Sequence, residues 1–181
     1  MRELFKQYII SLYHDIPQEF YEGLLSIFCI GVVLFVAWKG IKIGLRYSAA
    51  LLLIEYTFLL FCSTVITRMT SESRQYDFHP FWSYRAIQEG RVELLPENIM
   101  NALVFVPIGL LMGVALPNVK WWGVLLIGLF LSVGIEALQF VFVKGFSEVD
   151  DVMHNTLGCL IGWLMVKGSR FMMKDYNKFH S

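Results

Sequence analysis

Long apolar runs alternate with short polar ones along the chain, and five of the runs approach the length of a bilayer crossing. They are Leu24–Trp38, Tyr47–Thr67, Ile99–Leu116, Trp121–Val143 and Val152–Val166, of 15, 21, 18, 23 and 15 residues. About 20 apolar residues cross a hydrocarbon core of about 30 Å, so the middle three qualify outright and the outer two must borrow from their flanks. Backbone polar groups cannot go unsatisfied in lipid, which makes helices the expected form. Leu4–Tyr13 mixes aliphatic, aromatic and polar residues and reads as a short helix lying in the membrane interface. The expected fold is all-α: a polytopic membrane bundle of about five transmembrane helices with a short interfacial N-terminal helix. Its parts are an interfacial segment (1–22), two N-terminal spans (23–67), an extracytoplasmic aromatic loop (68–97), a three-helix region (98–166) and a cytoplasmic basic tail (167–181).

Composition agrees with this pattern. Apolar residues make up 56% of the 181 and charged ones 17%, against about 25% charged in soluble domains. Fifteen basic and fifteen acidic residues cancel, so no nucleic-acid partner is expected. The hydrophobicity excludes disorder. Cys29, Cys62 and Cys159 lie inside apolar runs, with neither disulfide nor metal-ligand spacing. No cofactor is expected. The first 22 residues carry six charges and no continuous apolar stretch, so a cleavable secretory signal is not expected.

Basic residues orient the spans. Lys39, Lys42, Arg46, Lys120, Lys167, Arg170, Lys174 and Lys178 fall on one side, packed into short segments beside helix ends. The positive-inside rule weights such residues most. It places the N-terminus outside, the C-terminus inside, and the 68–97 and 144–151 loops outside.

Simple anchors would be almost purely aliphatic, and these spans are not. Ser132, Glu136 and Gln139 stand at i, i+4 and i+7 on one helical face. Glu136 has 15 uncharged residues before it and seven after it, up to Lys144. A carboxylate there must face the bundle interior, a wet cavity or a partner, or carry a proton. Glu55 in the second span is a similar case. Polar side chains also glue helices together at about 0.6–2 kcal/mol each, and that reading stands beside the functional one. In the third span, Asn98 and Asn101 lie near the entry, and Asn98 serves equally well as a capping residue. Pro107 bends this helix and frees the Leu103 carbonyl, while Gly109 and Gly113 permit close helix contact.

The run from Gly145 to Asn155 is the most informative. Asp151, Asn155, Gly158 and Gly162 follow at spacings of 4, 3 and 4 on one helical face. Ser147 and Asp150 also have capping-box spacing, and acids suit a helix N-terminus. Val152–Val166 covers only about 22 Å of the core, so Lys167 and Arg170 snorkel, the bilayer thins, or the Glu148–Asp151 run dips below the headgroups. In the last case, acids and amides of three helices converge on one polar pocket at the outer leaflet. Asn98, Asn101, Ser132, Glu136, Gln139, Asp151 and Asn155 are its candidate ligand-binding residues, and Glu136, Asp150 and Asp151 the candidate acid/base groups. His154 reads as packing or interface. The Tyr76–Arg85 run suits an aromatic belt at the interface; alternatively it is a lid with Arg85 over a phosphate, which arginine grips bidentately.

Three blocks together resemble the VanZ family: Asn98-x-x-Asn101-x-x-x-Phe105-x-Pro107-x-Gly109, Ser132-x-x-x-Glu136-x-x-Gln139, and Asp150-Asp151-x-x-x-Asn155-x-x-Gly158-x-x-x-Gly162. Phe81–Ile87 is similar, more loosely, to the loop before that family's third span. Phe146 stands where the family pattern has a basic residue. The resemblance implies a small bacterial inner-membrane protein, with relatives that confer low-level resistance to the lipoglycopeptide teicoplanin. Three functions stay open. The outer-leaflet pocket binds or modifies an envelope amphiphile, such as a lipid-linked cell-wall precursor or a lipoglycopeptide. A second reading is a membrane enzyme whose carboxylates act on a lipid phosphate as acid/base groups or with a divalent metal. The third is a small proton-coupled carrier, against which the lack of an internal repeat argues.

Overall fold

The computed structural model describes residues 44–179, with side chains up to residue 173. The expected interfacial segment 1–22 and first span Leu24–Trp38, with Cys29, lie outside the described residues. Within them the chain forms α1 (Leu45–Phe61), continued by one π-helical turn (Cys62–Ile66), then β1 (Gln75–Asp77) and α2 (Trp82–Gln88). There follow α3 (Leu94–Ala115), α4 (Trp121–Phe142), β2 (Phe146–Glu148) and α5 (Val149–Phe179). The stretch Leu45–Ile66, α3 and α4 are each 22 residues long and apolar enough to cross a membrane. This is a mostly helical membrane protein.

α5 is the element that apolar periodicity foreshortens. It runs for 31 residues, about 46 Å, beginning three residues before Val152 and continuing past Val166. The helix therefore gains length at both ends of the 15-residue apolar stretch. The 68–97 segment is also more ordered than a loop. β1 pairs in parallel with β2, Tyr76 opposite Ser147 and Asp77 opposite Glu148, and α2 lies against the bundle end.

Among the described residues α3 and α5 form the most extensive helix pair, and their glycines explain why. A Cβ on Gly158 would collide with the Ala102 carbonyl, one on Gly162 with Val106, and one on Gly109 with the Cys159 carbonyl. Bare backbone at these places lets the two axes approach closely, which in lipid is a main source of association energy. Around the seam Phe105, Ile108, Met112, Val124 and Cys159 are buried. The Tyr56 hydroxyl ties α1 to α3 by donating to the Val104 carbonyl at 2.8 Å, one residue after the carbonyl that Pro107 leaves without a helical donor.

Two local distortions aim the chain at the site. The Ser63 and Thr64 hydroxyls both donate to the Leu60 carbonyl, and the helix there widens so that Thr67 N–H reaches Cys62 O at 2.9 Å. π-turns of this kind gather at functional sites. At the end of α4, Val143 adopts φ 57°, a left-handed conformation unfavourable for a β-branched residue. Its N–H and that of Lys144 both return to the Gln139 carbonyl. The chain then reverses through Gly145, at φ 84°, straight into β2.

Candidate functional site

That reversal folds β2 back onto α4. Glu148 N–H donates to Glu136 Oε2 at 2.9 Å, and the Ser147 hydroxyl donates to the Glu136 carbonyl at 3.2 Å. The carboxyl of Glu136, in the last two turns of α4, is thus held by backbone rather than by a cation. Glu148 in turn accepts from the Trp82 indole N–H at 2.8 Å. Trp82 is fixed from both sides, edge-on to Phe146 at 5.6 Å and beneath the Arg91 guanidinium at 5.2 Å.

Asp151 is the next member. Its Oδ1 accepts from the Asn101 amide at 2.6 Å, joining α5 to α3 across the glycine seam. One turn deeper, the Asn155 amide donates to the Ser132 hydroxyl at 2.8 Å, joining α5 to α4. Gln139 donates to the Thr64 carbonyl at 3.0 Å in the widened turn of α1, while its own Oε1 is buried without a partner.

Asp150 faces the other way and is fully buried. Its carboxylate accepts Phe81 N–H at 2.6 Å, Ser83 N–H at 2.9 Å and the Ser83 hydroxyl at 2.6 Å. Asn98 completes the network by donating to Ser83 Oγ at 3.1 Å. The positions with capping-box spacing therefore do not form one: Ser147 serves α4, and Asp150 caps the N-terminus of α2, a different helix. Phe81, the N-cap of α2, has φ 64°. With Val143 it is one of the two non-glycine residues at positive φ among those described, and both border this cluster.

Two residues outside the candidate set complete the picture. His154 is buried, with Nε2 2.8 Å from the Tyr84 hydroxyl and Nδ1 unpartnered. Arg68, the first charged residue after α1, lies over Gly145, where an added Cβ would strike its guanidinium. It sits within electrostatic reach of both Glu136 and Asp151. Phe146 carries no charge, and the Arg68 cation beside the acids comes from the chain just past the Leu45–Ile66 stretch. Only its position just after an apolar run marks Arg68 in the sequence.

Asn98, Asn101, Glu136, Gln139, Asp150 and Asp151 thus stand toward the ends of α3, α4 and α5 that share the 68–97 segment, with Asn155 and mid-helix Ser132 paired deeper in the bundle. Arg85 does not join them. It is exposed on α2, with its guanidinium turned to the Pro80 and Phe81 carbonyls at 3.1 and 3.4 Å. Tyr76, Phe78 and Phe140 form an aromatic cluster, with ring centroids 5.0–5.9 Å apart, that holds the segment on α4.

Glu148 lies outside the spans, and its chemistry can be read directly. Burial pushes its carboxyl up to about 8, with the nearby Asp151, Glu136 and Asp150 charges adding to the rise and the Trp82 hydrogen bond opposing it. At neutral pH this group holds a proton beside other carboxyls. Such an arrangement can donate a proton or accept a cationic group. Among the described residues no three His, Cys, Asp or Glu side chains are grouped to hold a metal ion.

No solved structure matches the chain. Protein VanZ of Enterococcus faecium is 35% identical over 66 residues, a stretch that is 36% of this chain and 41% of that protein. The family described as VanZ/LLP1 matches residues 47–172, most of the chain and all of the site above. This chain belongs to the VanZ family.

Proposed function

We propose that the protein binds or modifies an envelope amphiphile, a lipid-linked cell-wall precursor or a lipoglycopeptide, at this polar cluster and so gives low-level tolerance of teicoplanin-type antibiotics. It does so in the bacterial inner membrane, with the C-terminus inside and the cluster at the outer leaflet. The observation that carries the reading is the meeting of Glu136, Glu148 and Asp151 with Asn101 and the Arg68 cation at one end of the bundle. Acids, an amide and a guanidinium side by side suit a headgroup bearing both donors and anionic oxygens. Family membership supports the same reading.

The test is teicoplanin susceptibility of a sensitive host expressing the wild type, Glu136→Gln or Asp151→Asn at matched membrane levels. The wild type raises tolerance and both variants lose it. Retained tolerance in both variants overturns the reading. The proton held by Glu148 favours a second reading, acid/base chemistry on a lipid phosphate. In that case, lipids and precursors extracted from cells with and without the protein differ by a covalent change.

A further inference from the structure

Beneath the polar cluster, α1, α3 and α4 enclose an apolar groove. A cavity of about 470 Å³ is lined by residues that include Leu53 and Phe58 of α1, Ile108 and Met112 of α3, and Ile127 and Leu131 of α4. A smaller one of about 150 Å³ shares Thr57, Phe61, Ile108 and Leu131 with it and extends the groove to Gly134, Ile135 and Leu138. The one hydroxyl among these lining residues, that of Thr57, donates to the Leu53 carbonyl of its own helix at 2.7 Å. The groove therefore offers an occupant only hydrocarbon contact.

Its length and its upper end are informative. On α4 the lining runs from Ile127 to Leu138, about 16 Å of helix, and on α3 it continues to Leu116, at the end of that helix away from Asn98 and Asn101. Ile135 and Leu138 immediately precede Glu136 and Gln139. The groove thus ends on the α4 face next to the one that carries the carboxyl. Gly134 stands in its wall, and a Cβ there would meet nothing within 4 Å. Glycine inside a helix is unfavourable relative to alanine, and unlike Gly109 or Gly158 this one gains no close helix contact.

We infer that the groove seats one acyl chain belonging to the amphiphile whose headgroup lies at the carboxylates. The inference rests on the function proposed above and narrows it to acyl-tailed molecules over long polyprenyl ones. The tail fixes the molecule's depth and presents its headgroup to Glu136, Asp151 and Arg68.

The test uses the full chain in nanodiscs of phosphatidylglycerol doped with a phosphatidylglycerol that carries a diazirine on one acyl chain. After illumination, peptide mapping shows labelling concentrated on residues 53–61, 108–116 and 127–138 relative to the exposed α5 positions Leu157, Ile161 and Leu164. Gly134→Phe, which fills the open space, loses that excess and leaves the α5 labelling unchanged; Gly134→Ala keeps both. Even labelling of the groove and α5 overturns the inference. So does preferential labelling by a diazirine-bearing polyprenyl phosphate, or a crosslink from a photoreactive residue at position 131 to residues 24–38. Tolerance separates the two levels. If Gly134→Phe stays tolerant while Glu136→Gln does not, the tail site fails and the headgroup site stands. If groove labelling persists while Glu136→Gln stays tolerant, the headgroup site alone fails.

Discussion

Asp150 and Ser83 are joined twice, through the serine amide at 2.9 Å and its hydroxyl at 2.6 Å, although they lie 67 positions apart in the chain. This pair docks the 68–97 segment on the membrane bundle. Because the carboxylate also takes Phe81 N–H, it satisfies amides at the start of α2 that have no intrahelical acceptor.

Removing either partner therefore acts on the segment before it acts on the spans. Ser83→Ala loses the hydroxyl and is expected to cost about 1–2 kcal/mol. Asp150→Asn sets an amide donor against existing donors and is expected to cost about 2–4 kcal/mol. Limited proteolysis of the full chain in detergent measures this directly. Cleavage within 68–93 accelerates in both variants, most in Asp150→Asn, while the membrane-embedded fragments stay protected. Unchanged cleavage would mean that the aromatic cluster alone holds the segment.

The glycine seam sets a different expectation. Gly158→Val drives a side chain into the Ala102 carbonyl, so α3 and α5 must separate. The loss is at least about 2 kcal/mol, at the upper end of ordinary overpacking, because backbone cannot turn aside as a side chain can. Gly134→Ala meets open space and is neutral or better. Thermal unfolding followed by tryptophan fluorescence should place Gly158→Val below the wild type and Gly134→Ala at or above it.

How much of this was legible from residues alone depended on spacing. Glu136 and Gln139, Asp151 and Asn155, and the glycines of α5 each declare a helical face, so the meeting of α3, α4 and α5 could be read from periodicity. The partners could not. Asp151 meets Asn101, Asn155 meets Ser132 and Gln139 meets a backbone carbonyl of α1, and helix rotation alone decides those pairings. Asp150 and Asp151 stand together as candidate acid/base groups, yet neighbouring residues on a helix point about 100° apart: Asp150 binds the 68–97 segment, and Asp151 binds Asn101. β1, β2 and the role of Arg68 depend on contacts across dozens of residues, which no local pattern records. Phe81 and Val143 adopt backbone conformations that their side chains disfavour, so propensity points away from them.

Arg68 carries the next expectation. With Phe146 uncharged, it is the cation that balances Glu136 and Asp151. The residue is exposed, so replacement leaves the helix packing intact. Arg68→Ala is expected to reduce teicoplanin tolerance to that of cells without the protein, at unchanged membrane level. Adding Phe146→Lys to the same chain should restore part of it, because the position lies next to Gly145, against which Arg68 packs. An Arg68→Ala protein with full tolerance would show that the acids need no cation.

Glu148 fixes the sign of the pH response. Its carboxyl is raised from an ordinary value near 4.5 to about 8 in the folded protein. Between those values the folded state holds a proton that the unfolded chain has released, so stability falls as pH rises. The contribution is complete below about 4.5 and is lost as pH passes about 8. Over a range from about pH 5 to about pH 9 the melting temperature of the full chain in detergent therefore declines. Glu148→Gln, which mimics the protonated acid and keeps an oxygen for the Trp82 indole, flattens the decline. The variant should match the wild type at the acid end of that range and exceed it at the alkaline end. A parallel decline in both proteins would mean that Glu148 ionises in its ordinary range and that another group sets the slope.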